Sequence, residues 1–286
     1  MADPLLTAEA FAAAVDRLCA QRGRLVVVKL GGSAMEDPDA TDACLKSVAA
    51  LNQLRVPVVL VHGGGKPIDR AMAEAGITPR KVAGRRYTDD ATLEIVVRVL
   101  HEIARGLVSR MNSFGVRAVF MPYQLTGNQL SLADADSRAI DLGRVGTVTD
   151  VGSSTIAQIL DQADVPVIPS LALHEDGGWL NVNADTAASA VAGAMQADKV
   201  IFLTDTPGVL RDRANPASRI PSLTEREARS LIVSGVIDGG MVPKVEACFE
   251  ALEAGAKSAL ILDGRVRFSL LDVFLHDTFT GTVIRR

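Results

Sequence analysis

The chain has 286 residues, of which 48% are hydrophobic, and its 30 Lys and Arg against 34 Asp and Glu give a formal net charge of −4 at pH 7. This balance argues against nucleic acid or an anionic membrane as a partner recognised mainly through bulk charge. No apolar run approaches the ~18 residues of a membrane span, and Cys19, Cys44 and Cys248 are too scattered for a disulfide framework or a zinc site. We therefore expect a cytoplasmic α/β protein with reduced thiols.

Short apolar runs alternate along the chain with longer amphipathic segments. The runs predict buried strands at 25–30, 57–61, 118–121, 165–168, 199–203 and 258–262. The segments predict helices at about 7–20, 39–53, 67–75, 89–113, 154–163, 184–195, 224–234 and 241–254. Residues 143–153 and 171–182 alternate and contain glycine and threonine, and we interpret them as hairpins at an edge of the fold. The overall alternation favours a three-layer αβα sandwich with a mostly parallel central sheet.

Two predicted strands end in glycines. The first continues into Gly31-Gly32-Ser33, and the second into His62-Gly63-Gly64-Gly65. Ligands of a parallel sheet bind beyond the carboxyl ends of its strands, and glycine lets backbone N–H groups approach an anion closely. One such loop is more simply a tight strand-to-helix turn, whereas two in the same half of one sheet favour an anion site. The site is not a P-loop, because Pro67 follows Lys66 where Ser or Thr is needed.

Three charged residues, Lys29, Asp185 and Lys244, lie at the predicted end of a strand or start of a helix, where a charge needs a partner. Lys29 ends an otherwise apolar strand, where an unpartnered lysine is costly, and Lys244 opposes the dipole of the helix that it begins. Each lysine alone is explained equally well as a side chain that reaches solvent. Asp185 either caps the helix that follows it or orients the two lysines around a phosphoryl group in transfer.

The chain resembles the amino acid kinase family over about 25–284. The motifs that carry the resemblance occur in family order and are VKLGGSAM (28–35), VHGGG (61–65), GRRYTD (84–89), LGRVG (142–146), NVNADTAA (181–188), LTDTPGVL (203–210) and GGMVPKVEA (239–247). The resemblance implies phosphoryl transfer from ATP to the γ-carboxylate of N-acetyl-L-glutamate, giving an acyl phosphate for arginine biosynthesis. Mg²⁺ is expected to travel with the nucleotide, so no residue is predicted to bind a metal directly.

The resemblance also implies a role for individual residues. Lys29 and Lys244 would neutralise charge on the transferring phosphoryl group, and Asp185 would hold both lysines in place. The residues expected to contact the acceptor are Gly32, Gly64, Gly65, Arg86, Asn181 and Asn183. The residues expected to contact the nucleotide are Thr204, Asp205, Gly208, Val209, Leu210, Ile237 and Gly239. No catalytic base is needed, because a carboxylate is already a competent nucleophile at neutral pH.

Departures from the family pattern fall mainly at 101–107 and 121–129, in the half expected to receive the acceptor. They leave open a kinase of a different acyl amino acid. A separate alternative is a non-catalytic protein that senses arginine or nucleotide, but the intact Lys29, Asp185 and Lys244 argue against it. The predicted helix at 7–20 and the segment 268–284 resemble an arginine-inhibited, hexameric subgroup, in which the extra helix interlaces dimers. We therefore expect a homodimer or a hexamer built as a trimer of dimers, with L-arginine as a feedback ligand. Arg267 or Phe268, and Asp272, replace the usual His and Glu of that subgroup.

The predicted organisation has three parts. Residues 1–22 form a helical extension, residues 23–178 a lobe for the acceptor and dimerisation, and residues 179–286 a lobe for ATP. The two lobes are expected to share one continuous sheet.

Overall fold

A computed structural model describes residues 7–31, 34–133, 139–276 and 279–286. The helices within these ranges are α1 (Ala8–Cys19), α2 (Pro38–Gln53), α3 (Gly65–Glu74), α4 (Asp90–Ser113), α5 (Ser153–Asp161), α6 (Ala184–Ala194), α7 (Glu225–Val233), α8 (Val242–Glu253) and α9 (Ser269–Leu275). The strands are β1 (Val26–Leu30), β2 (Val58–His62), β3 (Lys81–Val82), β4 (Arg85–Arg86), β5 (Ala118–Phe120), β6 (Leu125–Gln129), β7 (Leu132–Ala133), β8 (Ala139–Ile140), β9 (Val145–Val151), β10 (Val165–Pro169), β11 (Leu171–Leu173), β12 (Trp179–Val182), β13 (Lys199–Thr204), β14 (Ser222–Thr224), β15 (Ala259–Asp263) and β16 (Gly281–Arg285).

A central sheet of eight strands runs in the order β14-β16-β15-β13-β1-β2-β10-β5. Its pairs are parallel apart from β15 with β16 among the described residues. Every residue of β1, β2, β10 and β15 is buried, as a sheet covered on both faces requires. Four strands come from 23–178 and four from 179–286, so the sheet runs through both predicted lobes.

Helices cover the two faces of this sheet and form two cores. Side chains that alternate along β1 divide between them, because successive residues of a strand point to opposite faces. Val27 packs in the core that contains α5, α6 and α8, whereas Val28 packs in the core that contains α2, α4 and α9. The predicted three-layer αβα sandwich is therefore confirmed. Lys29 shares the face of Val27, which directs it toward α6 and α8.

The six predicted strands and eight predicted helices are all present, with ends shifted by at most about two residues. The hairpin at 171–182 is confirmed as the antiparallel pair β11 and β12. The hairpin at 143–153 is wrong, because β9 is one continuous strand whose antiparallel partner is β6. Alternation identifies a strand but not its partner, and here the partner lies outside the predicted segment.

The strands β11, β12, β9 and β6 close into a small barrel rather than lying on an edge of the central sheet. Close packing inside this barrel explains the glycines of its strands. A Cβ on Gly127 would lie 2.2 Å from the backbone oxygen of Thr147, and one on Gly146 would lie 2.7 Å from the Cβ of Leu180. The barrel supplies Asn181 on β12, directly before α6.

No helix in the described part of the chain has the length and apolar character needed to cross a membrane. Cys19, Cys44 and Cys248 are free thiols. Burial raises the pKa of the Cys44 thiol to about 12, so this side chain packs as a neutral apolar group.

Candidate active site

Two cavities open where β1, β2 and β13 reach the same edge of the sheet. The first, of about 320 Å³, lies among the glycines after β1 and β2, the β3–β4 hairpin and residues 181–185; we call it the glycine-lined cavity. The second, of about 530 Å³, lies between the loop after β13 and residues 236–244; we call it the β13-loop cavity. Both occupy the position beyond the carboxyl ends of parallel strands where ligands of such folds bind.

Three ion-paired side chains lie between the two cavities. Nζ of Lys29 lies 2.7 Å from Oδ1 of Asp185, and Nζ of Lys244 lies 3.6 Å from Oδ2 of the same carboxylate. Lys29 and Asp185 line the glycine-lined cavity, and Lys244 lines the β13-loop cavity. Sequence analysis predicted these three residues as the catalytic set, and the structure brings them together.

Burial and charge act in opposite directions on Asp185. Removing the carboxylate from water would raise its pKa, but the positive charges of Lys29 and then Lys244 outweigh that effect and hold the pKa below its ordinary value. The carboxylate is therefore ionised at neutral pH. Because the Asp185 side chain is only 10% exposed, its charge acts in a region of low effective dielectric.

Helix α6 places Asp185 in its first turn. Asn183 caps the helix, because its Oδ1 accepts the N–H of Asp185 at 2.7 Å and that of Thr186 at 3.3 Å. The alternative in which Asp185 itself is the cap is therefore wrong, and its carboxylate is left to pair with the lysines. Helix α6 is fixed to α8, which carries Lys244, by Ser189, whose hydroxyl lies 2.7 Å from the backbone oxygen of Ala247.

The glycine loop after β2 has backbone N–H groups that are available to bind an anion. The N–H of Gly63 donates to the oxygen of Leu30 at 3.2 Å, and the oxygen of Gly64 accepts from Ile68 at 2.8 Å. Within the described residues, the N–H groups of Gly64 and Gly65 have no acceptor, and both residues line the glycine-lined cavity. Of the predicted acceptor contacts, Gly32 lies outside the described residues.

Arg86, Asn181 and Asn183 also line this cavity. The Arg86 guanidinium donates to the carboxylate of Asp69 at 2.5 Å and to the backbone oxygen of Gly65 at 3.2 Å. These contacts fix a planar donor group at the cavity wall, a geometry suited to a carboxylate. Lys81, Arg85 and Ser170 line the same cavity and were not predicted. The basic character of the β3–β4 hairpin was the signal that could have identified Lys81 and Arg85.

Most of the predicted nucleotide contacts gather around the β13-loop cavity. Its wall includes five of the seven, namely Asp205, Gly208, Val209, Leu210 and Ile237. Thr204 is buried at the end of β13, where its hydroxyl donates to the Asp205 carboxylate at 3.1 Å, and it does not line the cavity. Gly239 lies between Asp238 and Gly240, which do. The described residues contain no group of three or more His, Cys, Asp or Glu side chains able to hold a metal ion.

Arg213 and Asp238 form an ion pair in the wall of the β13-loop cavity. Arg213 was not predicted, whereas Asp238 lies between the predicted contacts Ile237 and Gly239. The Nη1 atom of Arg213 lies 2.5 Å from Oδ1 of Asp238, and both residues line the wall. No local sequence pattern identifies this pair, because the two residues belong to separate loops.

A model of the amino acid kinase family matches residues 24–263. The acetylglutamate kinase of Synechococcus sp. (strain RCC307) is 44% identical over 265 residues, which cover 92% of this chain and 88% of that protein. An N-acetylglutamate synthase from Neisseria gonorrhoeae, solved with coenzyme A and N-acetyl-glutamate, has a similar fold with a TM-score of 0.82 at 24% identity, and the match covers 99% of this chain and 64% of that one. Carbamate kinase from Giardia lamblia bound to AMP-PNP aligns with a TM-score of 0.68 at 17% identity over 92% of this chain and 99% of that one.

Proposed function

The chain belongs to the amino acid kinase family, and we propose that it phosphorylates the γ-carboxylate of N-acetyl-L-glutamate with ATP to give N-acetyl-L-glutamyl 5-phosphate in arginine biosynthesis. The observation that carries this proposal is the pair of ion pairs that Asp185 forms with Lys29 and Lys244, which links two cavities at one edge of the sheet. The glycine-lined cavity would hold the acyl amino acid, and the β13-loop cavity would hold the nucleotide.

The chemistry follows from charge. The acceptor carboxylate needs no base, so the obstacle is to bring two anions together. Positioning and electrostatic stabilisation remove such an obstacle. Lys29 and Lys244 would neutralise the phosphoryl oxygens from the two cavities, while Asp185 holds both ammonium groups beside one carboxylate. The free N–H groups of Gly64 and Gly65 add donors on the acceptor side.

We propose that Mg²⁺ enters with ATP, because this ion keeps several waters and binds phosphate oxygens readily. When bound, it would neutralise part of the charge of the polyphosphate. Asp205 and Asp238 are the carboxylates in the wall of the β13-loop cavity that could hold its waters.

The direct test is release of ADP with N-acetyl-L-glutamate, measured against a panel of other acyl amino acids. We expect turnover that is highest with N-acetyl-L-glutamate. Turnover only with a different acid would overturn the substrate but keep phosphoryl transfer. Nucleotide binding without turnover on any acid would overturn the enzyme and favour the sensor.

The cavities also support the proposed division into an acceptor lobe (23–178) and an ATP lobe (179–286). All residues that line the β13-loop cavity come from 205–244. Most of those that line the glycine-lined cavity come from 29–170, and residues 181–185 complete it from the start of the second lobe. A cytoplasmic location, where ATP is plentiful and the three thiols stay reduced, agrees with the proposed reaction.

We propose that two copies associate through the β5 edge of the central sheet. Among the described strands β5 pairs only with β10, so its other side is an open edge. Beside it, Tyr123 is 63% exposed and stacks on Trp179 with ring centroids 5.4 Å apart. Light scattering should give twice the 30.2 kDa chain mass for a dimer, or six times for a trimer of dimers that α1 interlaces.

Feedback by L-arginine remains a further proposal. It is supported by the contact of α1 with α9, which brings the N-terminal helix beside the segment that contains Arg267, Phe268 and Asp272. Millimolar arginine should lower the rate of ADP release. An unchanged rate across that range would rule out this regulation.

A further inference from the structure

Thr88 contacts both Arg86 and Asn181, which line the glycine-lined cavity, but does not itself line the cavity. The residue follows β4, and none of its surface is exposed. Its Oγ1 donates to the backbone oxygen of Arg86 at 2.9 Å and accepts from Nδ2 of Asn181 at 3.0 Å. The hydroxyl therefore connects the β3–β4 hairpin to β12, two elements that the chain places far apart.

The backbone of Thr88 is anchored independently of this hydroxyl. Its N–H donates to the oxygen of Leu142 at 3.1 Å, and its own oxygen accepts the N–H of Arg144 at 2.6 Å. These bonds hold the residue in place whichever side chain is present. A variant that loses only the hydroxyl should therefore keep the local path of the chain.

The direction of each bond in this relay is fixed by chemistry. A backbone carbonyl can only accept, so the single hydroxyl proton of Thr88 is used on Arg86. The contact with Asn181 must then run from the amide N–H to the hydroxyl oxygen. This sets which end of the Asn181 amide faces Thr88 and leaves Oδ1, an acceptor, without a donor among the described residues. Asn181 lines the cavity, so Oδ1 is the acceptor that its side chain can offer to a ligand.

We propose that Thr88 is a positioning residue for the acceptor: through one hydroxyl it fixes both the Arg86 backbone and the orientation of the Asn181 amide. This inference rests on the proposed function, since it assumes that an acyl amino acid binds in the glycine-lined cavity. Such a ligand offers a carboxylate to the Arg86 guanidinium and an amide N–H to Oδ1 of Asn181. Without the Thr88 hydroxyl, the Asn181 side chain can rotate and point its NH₂ group at the ligand's N–H. This weakens binding of the acceptor and leaves binding of the nucleotide unchanged.

The test compares Thr88→Val, which keeps the shape and removes the hydroxyl, with Thr88→Ser, which keeps the hydroxyl. We expect Thr88→Val to raise the KM for N-acetyl-L-glutamate by about five- to tenfold, with the KM for ATP within about twofold of wild type. Thr88→Ser should restore the KM for the acceptor. An acceptor KM unchanged in Thr88→Val, or raised equally in both variants, overturns the proposal. Wild-type protein without turnover on N-acetyl-L-glutamate overturns the proposed function instead.

Thr282→Val is a matched control for loss of a buried hydroxyl. Thr282 is also fully buried, and its hydroxyl donates to Ile220 at 2.7 Å and accepts from Val209 at 2.8 Å, away from the acceptor cavity. Its removal should leave the acceptor KM unchanged, and a rise equal to that of Thr88→Val would overturn the specific role. If Thr88→Val does not fold, Thr88→Ala takes its place. In an Asn181→Ala background the Thr88 substitution should have at most half its effect on the acceptor KM, and a full, additive effect would contradict action through Asn181.

Discussion

Lys29 and Lys244 approach the same carboxylate from opposite cavities, so each should be needed for the transfer step. We predict that Lys29→Met and Lys244→Met each lower kcat by about 10²- to 10³-fold, because each removes a fixed charge from the transition state. Asp185→Asn should lower kcat as well, since the lysines lose the anion that orients them. Steady-state rates at saturating ATP and acceptor measure the effect.

Lys66→Met is the matched control for these variants. Lys66 directly follows Gly65, but its ammonium pairs with Glu36 and it lines neither cavity. Its kcat should stay within about threefold of wild type, since exposed ion pairs contribute little. A Lys29 or Lys244 variant as active as the Lys66 variant would contradict the charge-neutralisation mechanism.

Single residues differ in how far the sequence could predict them. Lys29 and Lys244 stand out locally, because a lysine in an apolar strand and a lysine at a helix start both call for an anion. For their common partner, Asp185, the residues alone left two alternatives, a helix cap or a partner of the lysines, and the family resemblance favoured the second. Thr88 and the pair of Arg213 and Asp238 could not be predicted, because each owes its position to contacts between distant segments.

At the scale of elements, the spacing of α6 and α8 sets the distance from Asp185 to Lys244. Gly193 of α6 lies against Ala254, the residue that caps the end of α8, and an added Cβ would lie 2.2 Å from the Cβ of Ala254. Gly193→Ala should therefore push the helices apart and lower the free energy of unfolding by about 1–3 kcal/mol. The same shift should lower kcat, because Lys244 moves relative to Asp185. Urea unfolding and steady-state kinetics on one preparation measure both effects.

Gly106→Ala on α4 separates this packing effect from intrinsic helix propensity. Nothing lies within 4 Å of a Cβ added at Gly106, and alanine is favoured over glycine in a helix interior. This variant should raise the free energy of unfolding by up to about 1 kcal/mol with unchanged kcat. If Gly193→Ala were also stabilising, the close contact of α6 with α8 would not constrain the site.

The sequence predicts elements whose pattern is local, but it does not predict which strands pair with each other. The strands of the central sheet are continuous apolar runs, and the long helices have clear periodicity, so both were identified. The alternation at 143–153 predicts a hairpin, but it says nothing of the strand's partner, and β9 pairs instead with β6. Short elements such as β14 and α9 carry too few residues for a period to stand out, and their neighbours in the fold stabilise them.

In the whole molecule, the parallel strands at the centre of one sheet bring the two cavities together. β1 lies between β2 and β13, so the loops after these three strands are neighbours at one edge. The glycine loop after β2 and the loop after β13 thus flank Lys29, which β1 presents between them. The sequence indicated this arrangement through glycines at strand ends, but the register that aligns the strands is a property of the assembled sheet.

The stability of the whole molecule should fall in mildly acidic solution because of His62, which is fully buried before the glycine loop. Burial lowers the pKa of His62 to about 4, despite its hydrogen bond to the oxygen of Gly63. In the unfolded chain His62 has a pKa of about 6.5, so between about pH 6.5 and pH 4 it is protonated in the unfolded state and neutral in the folded state. The free energy of unfolding is therefore highest above about pH 7 and falls as the pH decreases. The loss at pH 5 is about 2 kcal/mol.

His62→Asn should remove most of this difference between pH 7.5 and pH 5, measured as the change in the free energy of unfolding in urea. A smaller dependence should remain, because burial and then the charge of Arg105 also lower the pKa of His101. The comparison is made within each protein, so any loss that the variant shows at both pH values cancels. If His62→Asn and wild type lose equal stability between the two pH values, His62 is not the group that titrates, and the acid sensitivity belongs to other side chains.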